Sequence, residues 1–164
     1  MKRKNLIARK RVNNNKLLFK DSKILNFYKK FKSIIFKDIK DKSFALAVSG
    51  GMDSLCLAYF SKIYSSEFGN KTHVLIVDHN LRKESHKEAL VVKEMLKKRG
   101  IQSVILRWKG KIPKSNIQKK ARDLRYLLIS NYCSKKNIKY LQHNLMKLLK
   151  WVLKMLKLLT SYLF

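Results

Sequence analysis

Six consecutive residues, Ser49-Gly50-Gly51-Met52-Asp53-Ser54, set two hydroxyls, two glycines and one carboxylate between an apolar run and an apolar helical pattern. Glycine lets a backbone approach a ligand closely, and hydroxyls donate hydrogen bonds. The first amides of a helix have no intrahelical acceptor, and the helix dipole there favours an anion. Such a turn is suited to phosphate. It has neither the Lys of a Walker loop nor the G-x-G-x-x-G spacing of a dinucleotide fold. Asp53, an acid aimed at phosphate, makes chemical sense chiefly through a bridging Mg²⁺. The plain alternative is a Gly-Gly turn with Asp53 or Ser54 as an ordinary helix cap. Further along, Gln118, Arg122 and Arg125 fall at i, i+4 and i+7 on one helical face, beside an apolar stripe of Ile117, Ala121, Leu124 and Leu128.

These residues need elements to hold them. Ile24, Phe27, Phe31 and Ile34 predict an amphipathic helix over 24–36. Phe44 to Val48 is short, apolar and ends in a turn, as a buried parallel strand does. A helix over 53–66 follows, then a strand "THVLIVDH" from Thr72. Residues 84–99 read as a helix carrying Ala89, Val92 and Leu96 and closed by Gly100. "QSVILRW" is a third strand, "NIQKKARDLRYLLISNYCSKKN" a long helix and "IKYLQH" a fourth strand. Strand and helix alternating at this pitch predict an α/β, doubly wound, mostly parallel sheet with helices on both faces. Open sheets of this kind bind ligands at the carboxyl ends of their strands, where the glycine turn falls.

The chain's 164 residues hold one domain, and Cys56 and Cys133 form no close-spaced ligand pair or disulfide framework, which points to a reducing, cytoplasmic setting. With 39 Lys and Arg against 10 Asp and Glu, the net charge of +29 is what a polyanion partner such as nucleic acid would favour. Abundant Lys, Asn and Ile with scarce Pro and Gly also arise from AT-rich coding DNA with no selection for binding. No stretch of about 20 residues is both apolar and free of charge, so no membrane span is expected. Residues 1–22 lack the apolar core and cleavage site of a secretory signal, and read as a basic arm more than as a transit peptide.

The S-G-G-x-D-S turn after an apolar strand resembles the loop of the ATP pyrophosphatases, or PP-loop family, which cleave ATP between the α and β phosphates. "VDHNLRKES" at 77–85 and "NIQKKARDLRY" at 116–126 resemble the second and third signatures of the tRNA(Ile)-lysidine synthases within that family. The resemblance implies an adenine nucleotide α-hydrolase-like, Rossmann-like fold. It further implies a ligase that adenylates C2 of the wobble cytidine of tRNA(Ile) with a CAU anticodon, after which the amine of free L-lysine displaces AMP. Cofactors would be ATP and Mg²⁺. By the same resemblance Ser49, Gly50, Gly51, Met52, Asp53 and Ser54 would grip the β and γ phosphates, with Asp53 acting catalytically through magnesium. Asp78 and His79 would border the adenosine or the incoming substrate, or else form a turn or helix cap. Arg122 would fork onto an α-phosphate or a tRNA phosphate, and Arg82 would meet RNA backbone.

The likeness covers about residues 43–143. His143 and Asn144 fit the start of a fourth signature, in which His143 would be catalytic, but Lys147 and Leu148 stand where acids belong and no Asp or Glu follows Asp123. The sequence thus divides into the arm 1–22, a partial PP-loop domain 23–144 and a Leu/Lys-rich tail 145–164. In the tail Lys147, Lys150, Lys154 and Lys157 make one cationic stripe. The tail reads either as a basic amphipathic helix or as the product of a frameshift after about residue 144. Three classes of function follow: a tRNA-modifying ligase, whole or as a remnant; a related PP-loop tRNA-modifying enzyme such as a thiolase; and a non-catalytic ATP- or RNA-binding remnant.

Overall fold

A computed structural model describes residues 22–110 and 115–140. Helix α1 (Ser22–Asp38) leads into strand β1 (Phe44–Val48), followed by α2 (Met52–Phe68), β2 (Thr72–Asp78), α3 (Ser85–Lys98), β3 (Ser103–Arg107), α4 (Ile117–Lys136) and β4 (Lys139–Tyr140). The strands form one sheet in the order β3-β2-β1-β4, and every pairing is parallel. The α/β, doubly wound expectation therefore holds, with the ends of the first seven elements within about two residues of those read from the pattern, the scatter usual at helix termini, while residues 141–143 of the expected fourth strand lie outside the described residues.

Alternation along the strands builds two cores. Phe44, Leu46 and Val48 of β1 and Val74 and Ile76 of β2 face α1, α2 and α3, where they meet Phe31, Ile35, Leu57, Ile63 and Leu96. Each such large apolar side chain contributes about 1.5–3 kcal/mol on full burial. The opposite face is smaller: Ala45 and Leu75, with Ala47 and Val77 beside them, receive Ile129 and Cys133 of α4. The Phe31 ring packs against those of Phe60 and Tyr64, with centroids 5.5 and 6.5 Å away, closing α1 onto α2. Tyr64 also donates its hydroxyl to Lys40 O at 2.6 Å, which ties the turn before β1 to α2.

Two stripes depart from expectation. The packed stripe of α1 runs through Tyr28, Phe31 and Ile35, with Phe27 and Ile34 at its margins, while Ile24 is 40% exposed because it lies a turn before the packing begins. In α4 the buried residues are Ile129 and Cys133, and Ile117 is half exposed. Only the carboxyl-terminal half of α4 lies over the sheet. The amino-terminal half, carrying Gln118, Arg122 and Arg125, projects toward the carboxyl ends of the strands, where a crossover helix antiparallel to them must begin.

The strand order puts the binding crevice in a definite place. From β1 the chain winds outward through β2 to β3, then crosses back to add β4 on the other side of β1. The order reverses at β1, and the loop leaving β1 carries the six-residue turn.

Candidate nucleotide-binding site

A cavity of about 490 Å³ opens at the carboxyl ends of β1 and β2, a size ordinary for small-molecule sites. Ala47, Val48, Ile76 and Val77 floor it; Ser49, Gly51, Asp53 and Ser54 form one wall. His79, Leu81 and Arg82 stand opposite, with Ser85, Glu88, Ala89 and Val92 of α3, and Arg125 and Tyr126 of α4 close the rim. Its floor is apolar and its walls carry hydroxyls and both signs of charge.

The turn itself is shaped by glycine. Gly50 has φ +89°, and a Cβ there would stand 2.5 Å from Val92 Cγ2, so the loop both turns left-handed and lies directly against α3. Gly51, with φ −68° and ψ 153°, is the residue that caps α2, and no side chain caps that helix. Neither Asp53 nor Ser54 is the cap, which removes the plainest reading of the turn; both lie in the first turn of α2, where the leading amides have no helical acceptor. Ser54 Oγ donates to Gly51 O at 2.8 Å and accepts from Ser49 N at 3.3 Å. One amide of the loop, that of Ser49, is thus satisfied by the protein, and its hydroxyl lies 3.4 Å from Ser54 Oγ. Met52 turns its side chain to solvent at 79% exposure and does not line the cavity. Asp53 makes no ion pair among the described residues and lines the cavity.

Asp78 is not on the cavity wall. Its side chain is fully buried, with Oδ1 accepting from Ser85 Oγ at 2.7 Å and from Asn80 N at 2.9 Å. Oδ2 faces His86 Nδ1 at 3.1 Å and Arg107 Nε at 3.3 Å. Burial alone would raise the carboxyl's pKa, but Ser85, Asn80, His86 and Arg107 together outweigh it and hold the group below the usual carboxylate range. Because the folded pKa lies below the unfolded one, this contribution to stability is complete above the unfolded value and is lost as pH falls through the folded one. As pH falls below about 3.8, the ordinary carboxylate value, Asp78→Asn is expected to lose less stability than the parent chain, measured by denaturant titration at each pH.

His79 does line the cavity. Burial first, then the neighbouring Arg125, lowers its pKa against the opposing pull of Asp78, which favours a neutral ring. Its Nε2 lies 3.4 Å from Arg125 Nη2, and since guanidinium only donates, Nε2 accepts. Of the two arginines of α4, Arg125 reaches the cavity rim, whereas Arg122 is exposed and lies over the Tyr126 ring at 5.4 Å. The structure thus brings together Ser49, Gly51, Asp53, Ser54, His79, Arg82 and Arg125, adds Glu88 and Tyr126, and leaves Gly50, Met52, Asp78, Gln118 and Arg122 off the lining. Glu88 pairs with Arg82 at 3.1 Å on the exposed rim; the α3 periodicity of Ala89 and Val92 marks that face, but nothing in it singles out Glu88. His143 lies outside the described residues, as do residues 1–21 of the arm and the tail 145–164. No group of three or more His, Cys, Asp or Glu among the described residues could hold a metal ion by itself.

Residues 21–146 match the model of the PP-loop domain. The chain belongs to that family. PP-loop relatives include tRNA(Ile)-lysidine synthase of Bartonella quintana, 44% identical over 93 residues, which are 56% of this chain and 20% of that protein. The enzyme of the same name from Orientia tsutsugamushi is 41% identical over 97 residues, 59% of this chain and 22% of its own length. That of Wolbachia pipientis is 42% identical over 101 residues, covering 59% and 23%. The chain thus spans about a fifth of the length of the curated relatives it matches. No helix among the described residues is long and apolar enough to cross a membrane.

Proposed function

We propose that this PP-loop domain binds ATP in the cavity and serves the nucleotide-activating step of lysidine formation. In that reaction free L-lysine is joined to C2 of the wobble cytidine of tRNA(Ile) with a CAU anticodon. The observation that carries the reading is the start of α2, where no side chain caps the leading amides, opening from β1 at the reversal of strand order. The likeness to three tRNA(Ile)-lysidine synthases over this part of the chain supports it. Gly50, Gly51, Met52 and Ser54 would present backbone donors to the β and γ phosphates, while Ser49 would add its hydroxyl, held beside Ser54 Oγ.

Magnesium fits the residues present. Among the described residues Asp53 is a carboxylate without a partner cation, and Mg²⁺ is commonly held by one or two carboxylates together with substrate phosphates. When bound, the ion would neutralise phosphate charge as pyrophosphate departs. His79, neutral and at the wall, would border the adenosine or the incoming substrate. Arg125 at the rim would donate to phosphate oxygens, and Arg122, exposed on the outer side of Tyr126, would meet a tRNA phosphate. His143 would complete the catalytic set, and the excess of Lys and Arg would serve the RNA.

Mg-ATP binding by calorimetry, followed by pyrophosphate release in the presence of lysine and tRNA(Ile), tests the reading; no ATP binding at millimolar nucleotide would overturn it. Arg125→Ala is expected to weaken ATP binding roughly 10- to 100-fold, the loss of one charged hydrogen bond, and Arg122→Ala by less than about threefold. Equal effects would sink this division of roles. The absence of Asp and Glu after Asp123 favours a second reading, a remnant that binds nucleotide or RNA without turnover. ATP binding without pyrophosphate release would select it.

A further inference from the structure

Four groups, Asn80 N, Ser85 Oγ, His86 Nδ1 and Arg107 Nε, converge on one buried carboxylate outside the cavity. Asp78 ends β2, Arg107 ends β3, and Ser85 and His86 open α3. Between them runs the turn His79-Asn80-Leu81-Arg82, of which His79, Leu81 and Arg82 wall the cavity. Asn80 is left-handed, φ 52°, which costs a non-glycine residue energy unless its surroundings fix it. Its surroundings do so from both sides: its amide donates to Asp78 Oδ1 at 2.9 Å, and its side-chain oxygen accepts from Arg107 Nη2 at 3.0 Å. Trp108 N donates to Asp78 O at 2.9 Å, so β3 continues its pairing to the point where the turn departs.

We propose that Asp78 and Arg107 form an anchor that fixes the His79–Arg82 turn as a cavity wall, so that Asp78 serves a bound nucleotide through this turn and not by contact. The proposal rests on the nucleotide reading of the cavity. Asp78 has no free face to offer a ligand, since its side chain is fully buried and both oxygens are engaged. Arg107 does not line the cavity, and its side chain is 46% exposed, so it can be replaced without opening a core. Asp78 and Arg107 are positioning residues in this arrangement.

Arg107→Met removes every donor while keeping much of the side chain's length. In the ligand-free chain, hydrogen exchange at the amides of Asn80, Leu81 and Arg82 is expected to quicken about tenfold, with the β1 and β2 amides unchanged. ATP affinity is expected to fall roughly three- to tenfold, as for a lost charged hydrogen bond acting at one remove. Arg107→Lys, which restores charge but not the fork, should recover only part of both effects. Asp78→Asn should act in the same direction and more strongly; if it fails to fold, the Arg107 pair still decides. Unchanged exchange in the turn, or exchange quickened equally through β1 and β2, would overturn the proposal. So would weak ATP binding in Asp78→Asn with Arg107→Met behaving as the parent chain, since Asp78 would then be a ligand contact. If the parent chain binds no ATP, the nucleotide reading fails, and the exchange measurement still decides whether the anchor fixes the turn.

Discussion

Asp53→Asn is expected to weaken Mg-ATP binding by roughly 30- to 100-fold, the worth of one charged interaction of about 2–3 kcal/mol. The sign should reverse without the metal. In EDTA the parent chain sets a carboxylate against phosphate with nothing between them, and Asn removes that repulsion, so the variant should bind ATP at least as well as the parent. Calorimetric titrations of both chains, with and without Mg²⁺, read the four affinities. An effect of equal size in both conditions would mean that Asp53 acts on the loop's shape and not through a cation. The carboxylate's position at the cavity wall, with no ion pair among the described residues, is what leaves it available for this.

Gly50→Ala is expected to cost about 2–4 kcal/mol of stability, the sum of a left-handed backbone penalty and an overpacking term. A Cβ at Gly50 would lie 2.5 Å from Val92 Cγ2, and a β-branched side chain on a helix has little freedom to turn aside. Because the same turn carries the phosphate-facing amides, ATP binding should be lost along with stability. The double variant Gly50→Ala with Val92→Ala separates the two terms. Removing the valine relieves the overlap but leaves φ at +89°, so the two substitutions should couple favourably by about 1–3 kcal/mol while ATP binding recovers only in part. Additive losses in denaturant unfolding would show that the contact with α3 is not what excludes a side chain at position 50.

The strands, the turn and the parallel winding were legible because each rests on a local signal: Phe44 to Val48 is apolar throughout, Gly50-Gly51 ends it, and a helical period follows. The two positions where sequence and structure part depend on packing between elements. Asp78 stands beside His79 in the chain, yet alternation in an extended strand end sends neighbouring side chains to opposite sides. Asp78 enters the anchor with Arg107, and His79 enters the cavity. Nothing local tells which of the pair goes where, since the choice is made by an arginine on another strand. In α4 the spacing of Gln118, Arg122 and Arg125 gives a shared face but not how far the helix overhangs the sheet. Ile129 and Cys133 fix that distance. Arg122 then sits about 4.5 Å farther along the axis than Arg125, beyond the rim and over Tyr126. The same overhang leaves Ile117 exposed, although its place in the period marks it as apolar.

The lopsided composition of β1, with Phe44, Leu46 and Val48 on one side and only Ala45 and Ala47 on the other, acts as a spacer gauge. Methyl groups let α4 settle close to the sheet, and that depth determines how near Arg125 and Tyr126 come to the glycine turn. The reach of the rim is therefore written into two small side chains that never meet a ligand: a bulkier pair would raise α4 like a shim and widen the mouth while every wall residue kept its identity.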